Sequence, residues 1–136
     1  MKRVFTEPEA AYLRRHSFGH LATASAECEP HVVPLRYRFN EELETIDLGG
    51  HGDPRKKKYY RNLARTGRAA FVVDDLVAPG HVRAVQVRGT VELLPAGGET
   101  VRPDFDPPLV RLTPYYVVSW GLESSDPFVR KGRPVG

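Results

Sequence analysis

Residues 45–62 read TIDLGGHGDPRKKKYYRN, a strand running through a glycine corner into a helix. Thr45 to Leu48 reads as the end of a strand. Gly49, Gly50 and Gly52 let the backbone turn tightly and approach a ligand closely. Asp53 suits an N-cap and Pro54 the first helical position. The helix then opens with Arg55, Lys56, Lys57 and Lys58, the wrong sign for an end whose macrodipole favours anions. Free backbone N–H groups and four cations at one point suit a bound anion, a phosphate group above all. A solvated basic helix start is the plain alternative. The stretch is not a P-loop, because no Gly-Lys-Ser/Thr follows a four-residue spacer.

Upstream of this corner, Thr6-Glu7-Pro8-Glu9 has the form of a capping box, predicting a short helix to about His16. FGHLATASA (18–26) reads as a strand, Glu27-Cys28-Glu29-Pro30 as a turn, and HVVPLRYRFN (31–40) as a second strand. Leu35, Tyr37 and Phe39 face one way in that strand, Arg36 and Arg38 the other. Pro34 cannot donate to a ladder and marks an edge or a break in pairing. Glu41 to Glu44 turn the chain into the third strand, Thr45 to Gly50.

Downstream, the helix from Pro54 runs to about Thr66, with Lys56, Tyr59, Tyr60 and Leu63 on one face and Gly67 as its terminator. RAAFVVDD (68–75) is a fourth strand and residues 76–80 a loop. HVRAVQVRGTVELL (81–94) is a long strand in which Gly89 marks a bulge or a close contact. Residues 95–108 read as loop. Residues 109–122 contain the last strand, centred on Tyr115 to Trp120, and 124–136 read as an irregular tail. About six strands in hairpin order with one substantial helix predict a mainly β fold, a small antiparallel barrel with peripheral helices, and not a doubly wound sheet.

A chain of 136 residues fits a single domain, 1–136. The formal net charge of +3 is too mild to demand nucleic acid but suits an anionic small molecule. Tyr59 and Tyr60 beside lysines fit an RNA-binding barrel only superficially. The single cysteine, Cys28, excludes an intramolecular disulfide, and the histidines do not make up a metal-ligand set. No signal peptide and no apolar run near 18 residues are visible, so a soluble cytoplasmic protein, neither membrane-bound nor nucleic-acid-bound, is expected.

FGHLATASAECEPHVVPLRYRFN, KYYRNLARTGRAAFVVDDL, QVRGTVELL and FDPPLVRLTPYYVVSWG together resemble the FMN-binding split-barrel superfamily. Within it they are most similar to the pyridoxamine 5'-phosphate oxidase-like proteins of the deazaflavin (coenzyme F420) dependent oxidoreductase subgroup. The resemblance covers about Phe5 to Leu122. It implies a six-stranded antiparallel split β-barrel of the FMN-binding type, forming a homodimer with cofactor sites in the grooves between subunits. By that resemblance Val33, Pro34 and Leu35 line the flavin ring. Gly50, His51, Lys56, Lys57 and Lys58 hold the phosphate, and Gln86 and Trp120 approach the groove, the latter two from the partner subunit. Related proteins often carry a lysine three residues before the Asn-Leu pair, where this chain has Tyr59; the nearest cation is Lys58.

The activity so implied is hydride transfer between F420, or alternatively FMN, and a small organic substrate. The cofactor supplies the chemistry and the protein supplies orientation and a dry groove. No side chain stands out as a catalytic acid or base. A cofactor carrier without turnover has the same sequence features, because fold does not fix function. Haem binding, known on similar barrels, lacks an evident ligand histidine.

Overall fold

The computed structural model describes residues 3–123 and 130–136. Helix α1, Glu7–Arg15, begins with the expected capping box. Thr6 Oγ1 accepts from the Glu9 N–H, and the Glu9 carboxylate accepts from the Thr6 N–H. Its buried face is Glu9, Ala10, Tyr12 and Leu13. β1 (Phe18–Ala24) and β2 (Pro30–Asn40) form the first hairpin, and β3 (Thr45–Leu48) pairs with the far end of β2. Helix α2, Lys58–Thr66, follows and ends at Gly67, which takes the left-handed conformation (φ 67°) that terminates helices. β4 (Arg68–Ala78), β5 (His81–Leu94) and β6 (Leu109–Trp120) complete a meander.

The strand order is β3-β2-β1-β4-β5-β6, and β3 also pairs with β6, so the six-stranded antiparallel sheet closes on itself. This is the barrel with peripheral helices that the sequence predicts. Inward side chains fill it, among them Leu21, Tyr37, Ile46, Phe71, Val87, Leu112 and Val117, and Leu63 of α2 belongs to the same buried cluster. Tyr37 and Phe71 meet edge to face at 5.5 Å. The closing seam is polar on its outer face. Asp47, fully buried, accepts from Arg111 Nε (3.1 Å), Thr45 Oγ1 (2.9 Å) and Asn40 Nδ2 (3.1 Å), so both its oxygens are satisfied.

Three expectations are corrected. The helix expected from Pro54 to Thr66 is two pieces: a 3₁₀ turn over Pro54–Lys56, then α2 from Lys58, with Lys57 extended between them (φ −96°, ψ 131°). Asp53 caps only the 3₁₀ turn, through Arg55 N–H. β4 runs on through residues 76–78, expected as loop, because its ladder with β5 continues past a bulge to Ala78 and His81. Residues 130–134, expected within an irregular tail, form a seventh strand, β7 (Arg130–Pro134), on β6. β3 covers β6 only at Val110 to Leu112, so the edge from Tyr116 to Trp120 is open to β7. Residues 124–129 of the expected tail lie outside the described residues.

Candidate cofactor site

Pro34 divides β2 as its chemistry requires. The Tyr37 N–H donates to the Ser17 carbonyl on the β1 side, at 2.9 Å. In an antiparallel ladder, the odd-numbered residues of β2 therefore turn their backbone groups to β1, and the even-numbered ones turn theirs to the other edge. β3 occupies that edge only opposite Tyr37 to Asn40. Among the described residues no strand lies beside Val32, Pro34 and Arg36. That edge offers the N–H and C=O of Val32 and Arg36 and the carbonyl of Pro34. Val33 and Leu35 point inward and pack on the core, whereas Pro34 is exposed on the outer face.

The glycine corner leads from β3 to α2. The loop after β5 clamps it: Asp106 N–H donates to the Gly50 carbonyl (3.0 Å), and the Asp106 carboxylate accepts from Gly52 N–H. His51 Nε2 lies 3.3 Å from Asp104 and its ring meets Phe105 edge-on at 5.1 Å. Asp104, Phe105 and Asp106 were not singled out in the sequence, where FDPP carries no local signal for a contact more than fifty residues away. Three carboxylates thus surround the corner, each already engaged. Asp53 is held by Arg55 (3.1 Å), whose hydrogen bond keeps its pKa below the usual carboxylate value. The arginine and the histidine are spent on these partners.

Lys57 is the exception. It is half-buried and, among the described residues, has no hydrogen-bond or carboxylate partner; its ammonium lies 5.9 Å over the Tyr59 ring. A Cβ added to Gly50 would stand 2.8 Å from the Lys57 Nζ, so the ammonium lies directly over the glycine backbone. Lys57 is also the N-cap of α2 and makes no side-chain cap bond. The first turn of α2 therefore presents free N–H groups beside an unpaired cation, the arrangement that binds an anion. Lys56 and Lys58 are exposed and point into solvent. Of the three lysines, the structure singles out Lys57.

Gln86 and Trp120 lie elsewhere in the same chain. Counted through β1 and β4, they are three and four strands from β2. Both are half-buried on the outer face of the sheet. Gln86 Oε1 accepts from Arg88 Nε at 3.1 Å, and the Arg130 guanidinium lies 5.0 Å over the Trp120 ring. They do not join the corner within one chain. His16 and His20 are four residues apart but fall across the end of α1 and the start of β1, so they share no helix face. Among the described residues no group of three His, Cys, Asp or Glu side chains could hold a metal ion, and no helix is long and apolar enough to cross a membrane.

Fold and corner together define a class, the closed split barrel with a glycine-rich, basic turn after its third strand. Residues 5–107 match the family described as pyridoxamine 5'-phosphate oxidase, and the chain belongs to that family. It is 43% identical over 121 residues to a 5a,11a-dehydrotetracycline/5a,11a-dehydrooxytetracycline reductase of Streptomyces rimosus, covering 88% of this chain and 84% of the relative. Among solved structures it is similar to a conserved hypothetical protein of Mycobacterium tuberculosis (TM-score 0.68, 21% identity, 90% of this chain and 91% of that one). It is also similar to a haem-binding protein of Mycobacterium smegmatis (TM-score 0.69, 19% identity), covering 98% of this chain but 60% of that one. The protein is an oxidoreductase of the pyridoxamine 5'-phosphate oxidase-like fold.

Proposed function

We propose that the protein is an F420-dependent reductase of a polycyclic organic substrate. The observation that carries the cofactor part is the Lys57 ammonium over Gly50 at the start of α2, which has no side-chain cap, an arrangement that suits one phosphate. The open edge of β2 at Val32, Pro34 and Arg36 supplies backbone donors and acceptors of the kind that suit a flavin-type pyrimidinedione edge. Lys57 and the α2 amides hold the phosphate, Pro34 and the open β2 edge position the ring, and Val33 and Leu35, inward on the core, fix that strand beneath it. When bound, reduced F420 supplies a hydride to one carbon of an activated double bond while the neighbouring carbon takes a proton. The chain orients the two partners and keeps water from the groove. The substrate class rests on the Streptomyces reductase, whose name is that of an enzyme acting on dehydrogenated tetracyclines.

The working unit on this reading is a homodimer of single-domain chains in the cytoplasm, with Gln86 and Trp120 supplied to each site by the partner subunit. FMN is the alternative cofactor, and a carrier without turnover the alternative role.

Two measurements test this. The apo-protein is titrated with F420 and with FMN, following fluorescence; F420 is expected to bind at micromolar concentration or tighter and FMN more weakly. Reduced F420 is then mixed with 5a,11a-dehydrooxytetracycline, and protein-dependent oxidation of the cofactor is expected. Preference for FMN would reassign the cofactor. F420 binding without oxidation by any polycyclic enone would favour the carrier, and failure of both cofactors to bind would remove the phosphate reading of the corner.

A further inference from the structure

The outer face of the sheet carries an open groove of about 360 Å³, within the range that ligand sites occupy. Ala22, Ala24 and Ala70 line its floor, and Arg68, Arg88 and Tyr115 form its rim. Its position is fixed by register. Ala22 on β1 stands beside Val32 on β2 and beside Ala70 on β4, and Ala70 stands beside Arg88 on β5. The floor therefore begins one strand, about 5 Å, from the open edge of β2. Tyr115 reaches the rim through a bulge. The β5–β6 register shifts between Arg88, opposite Tyr116, and Gly89, opposite Pro114, leaving Tyr115 as the extra residue. Only glycine permits it, since a Cβ at residue 89 would stand 2.2 Å from the Thr113 carbonyl oxygen. No carboxylate lines the groove, and among the described residues neither Arg68 nor Arg88 is ion-paired; Arg88 lies 5.0 Å over the Tyr116 ring instead.

We propose that this groove is the substrate subsite and that it takes a flat, polycyclic molecule carrying an ionised enol or phenol oxygen. The inference rests on the cofactor reading above for the position of the ring and goes beyond it in placing the second reactant. Methyl side chains on adjacent strands leave a flat floor that a fused ring system covers face-on. Tyr115, 42% exposed, offers a stacking face at the rim. Two guanidiniums without carboxylate partners attract an oxygen anion, and Arg presents the planar donor fork that such an oxygen accepts.

The test is equilibrium dialysis of the apo-protein with tetracycline, a stable polycyclic enol, in the presence of EDTA. Micromolar binding is expected. Ala70→Phe fills the floor and Arg68→Met removes a rim cation. Each should weaken tetracycline binding at least about ten-fold, equivalent to about 1.4 kcal/mol, with Arg68→Lys intermediate. F420 titration of the same variants should stay within about two-fold of the parent, and sedimentation should report an unchanged assembly. Wild-type protein that binds F420 but not tetracycline would overturn the groove and leave the cofactor site standing. Tetracycline binding lost in Ala70→Phe while F420 fails to bind at all would sustain the groove and remove the cofactor reading. Unchanged tetracycline affinity in both variants, or loss that appears only together with a changed assembly, would also overturn the proposal.

Discussion

At the scale of single residues, the basic run divides into one lysine aimed at the backbone and two aimed at water. Lys57→Met is expected to weaken F420 binding at least ten-fold, the loss of a charge-assisted contact of about 1.5–3 kcal/mol, whereas Lys56→Met and Lys58→Met change it less than about three-fold. Equal losses at all three positions would mean a diffuse electrostatic patch and not a site. Gly50→Ala gives a second handle. Its new methyl meets the end of a flexible side chain, so the melting temperature should barely move while the ammonium, and with it the affinity, is displaced. A residue remote from the corner tests the electrostatics. Asp75 accepts from both Arg83 (2.7 Å) and the Tyr12 hydroxyl (2.7 Å), and these bonds, Arg83's foremost, hold its pKa at about 2. A carboxylate depressed below its unfolded value stabilises the fold above that value and ceases to do so as pH falls toward the folded one. Asp75→Asn should therefore cost about 1 kcal/mol in urea titrations at pH 5 to 8, the pair being partly solvated, and the gap to the parent should close between about pH 4 and pH 2. The sequence made the corner legible, since glycines and cations are local signals. It did not make legible which lysine matters. That depends on Lys57 being extended between a 3₁₀ turn and α2, and on Asp104 and Asp106 occupying the neighbouring donors through contacts that span more than fifty residues.

Elements were legible in proportion to how local their determinants are. The capping box of α1, the Gly67 stop and the alternation of β5 are written within a few residues, and α1, the end of α2 and β5 fall where the pattern puts them. β7 could not be read that way: Arg130-Lys131-Gly132-Arg133-Pro134 has no alternation, a proline and three cations. It is a strand because β6 leaves an edge open to it and because Arg133 reaches a buried carboxylate on α1. Arg133 Nη2 lies 2.7 Å from Glu9 Oε1, and the Ser119 hydroxyl also donates to Glu9. Burial alone would push the Glu9 pKa up, but the hydrogen bonds from Arg133, Ser119 and Thr6 carry it below the usual carboxylate value. Removing the arginine reverses that balance. Arg133→Met should cost about 2 kcal/mol at pH 7, because a buried carboxylate is left without its cation. In the variant Glu9 would titrate above its unfolded pKa, so the deficit should shrink as pH is lowered toward about 4. Chemical denaturation across that range checks both sign and size; a deficit independent of pH would mean that β7 contributes packing and not charge.

At the scale of the whole molecule, the closed barrel separates the two groups of residues that the family resemblance assigns to one cofactor. Lys57 lies beyond the end of β3, whereas Gln86 stands three strands from β2 on the outer face. Hairpin order was enough to read the barrel from the sequence, but nothing periodic in the chain says how two barrels face each other, because an interface is a match between surfaces and not a property of either one alone. If each site takes Lys57 from one subunit and Gln86 from its partner, the two positions complement in trans. In a mixed dimer of Lys57→Met and Gln86→Leu chains, one site carries both substitutions and the other carries neither. Each variant alone should be nearly inactive in the oxidation of reduced F420. Random mixing makes about half the dimers mixed, each with one of its two sites intact, so activity should recover to about a quarter of the parent's. If Lys57 and Gln86 served the same site from a single chain, every site in the mixed dimer would carry one substitution, and mixing would restore nothing. Recovery to a quarter thus places the site between subunits. Its failure, with mixed dimers demonstrated by differently tagged chains and each variant inactive alone, would confine the site to one barrel; a Gln86→Leu variant with the parent's activity would remove Gln86 from it.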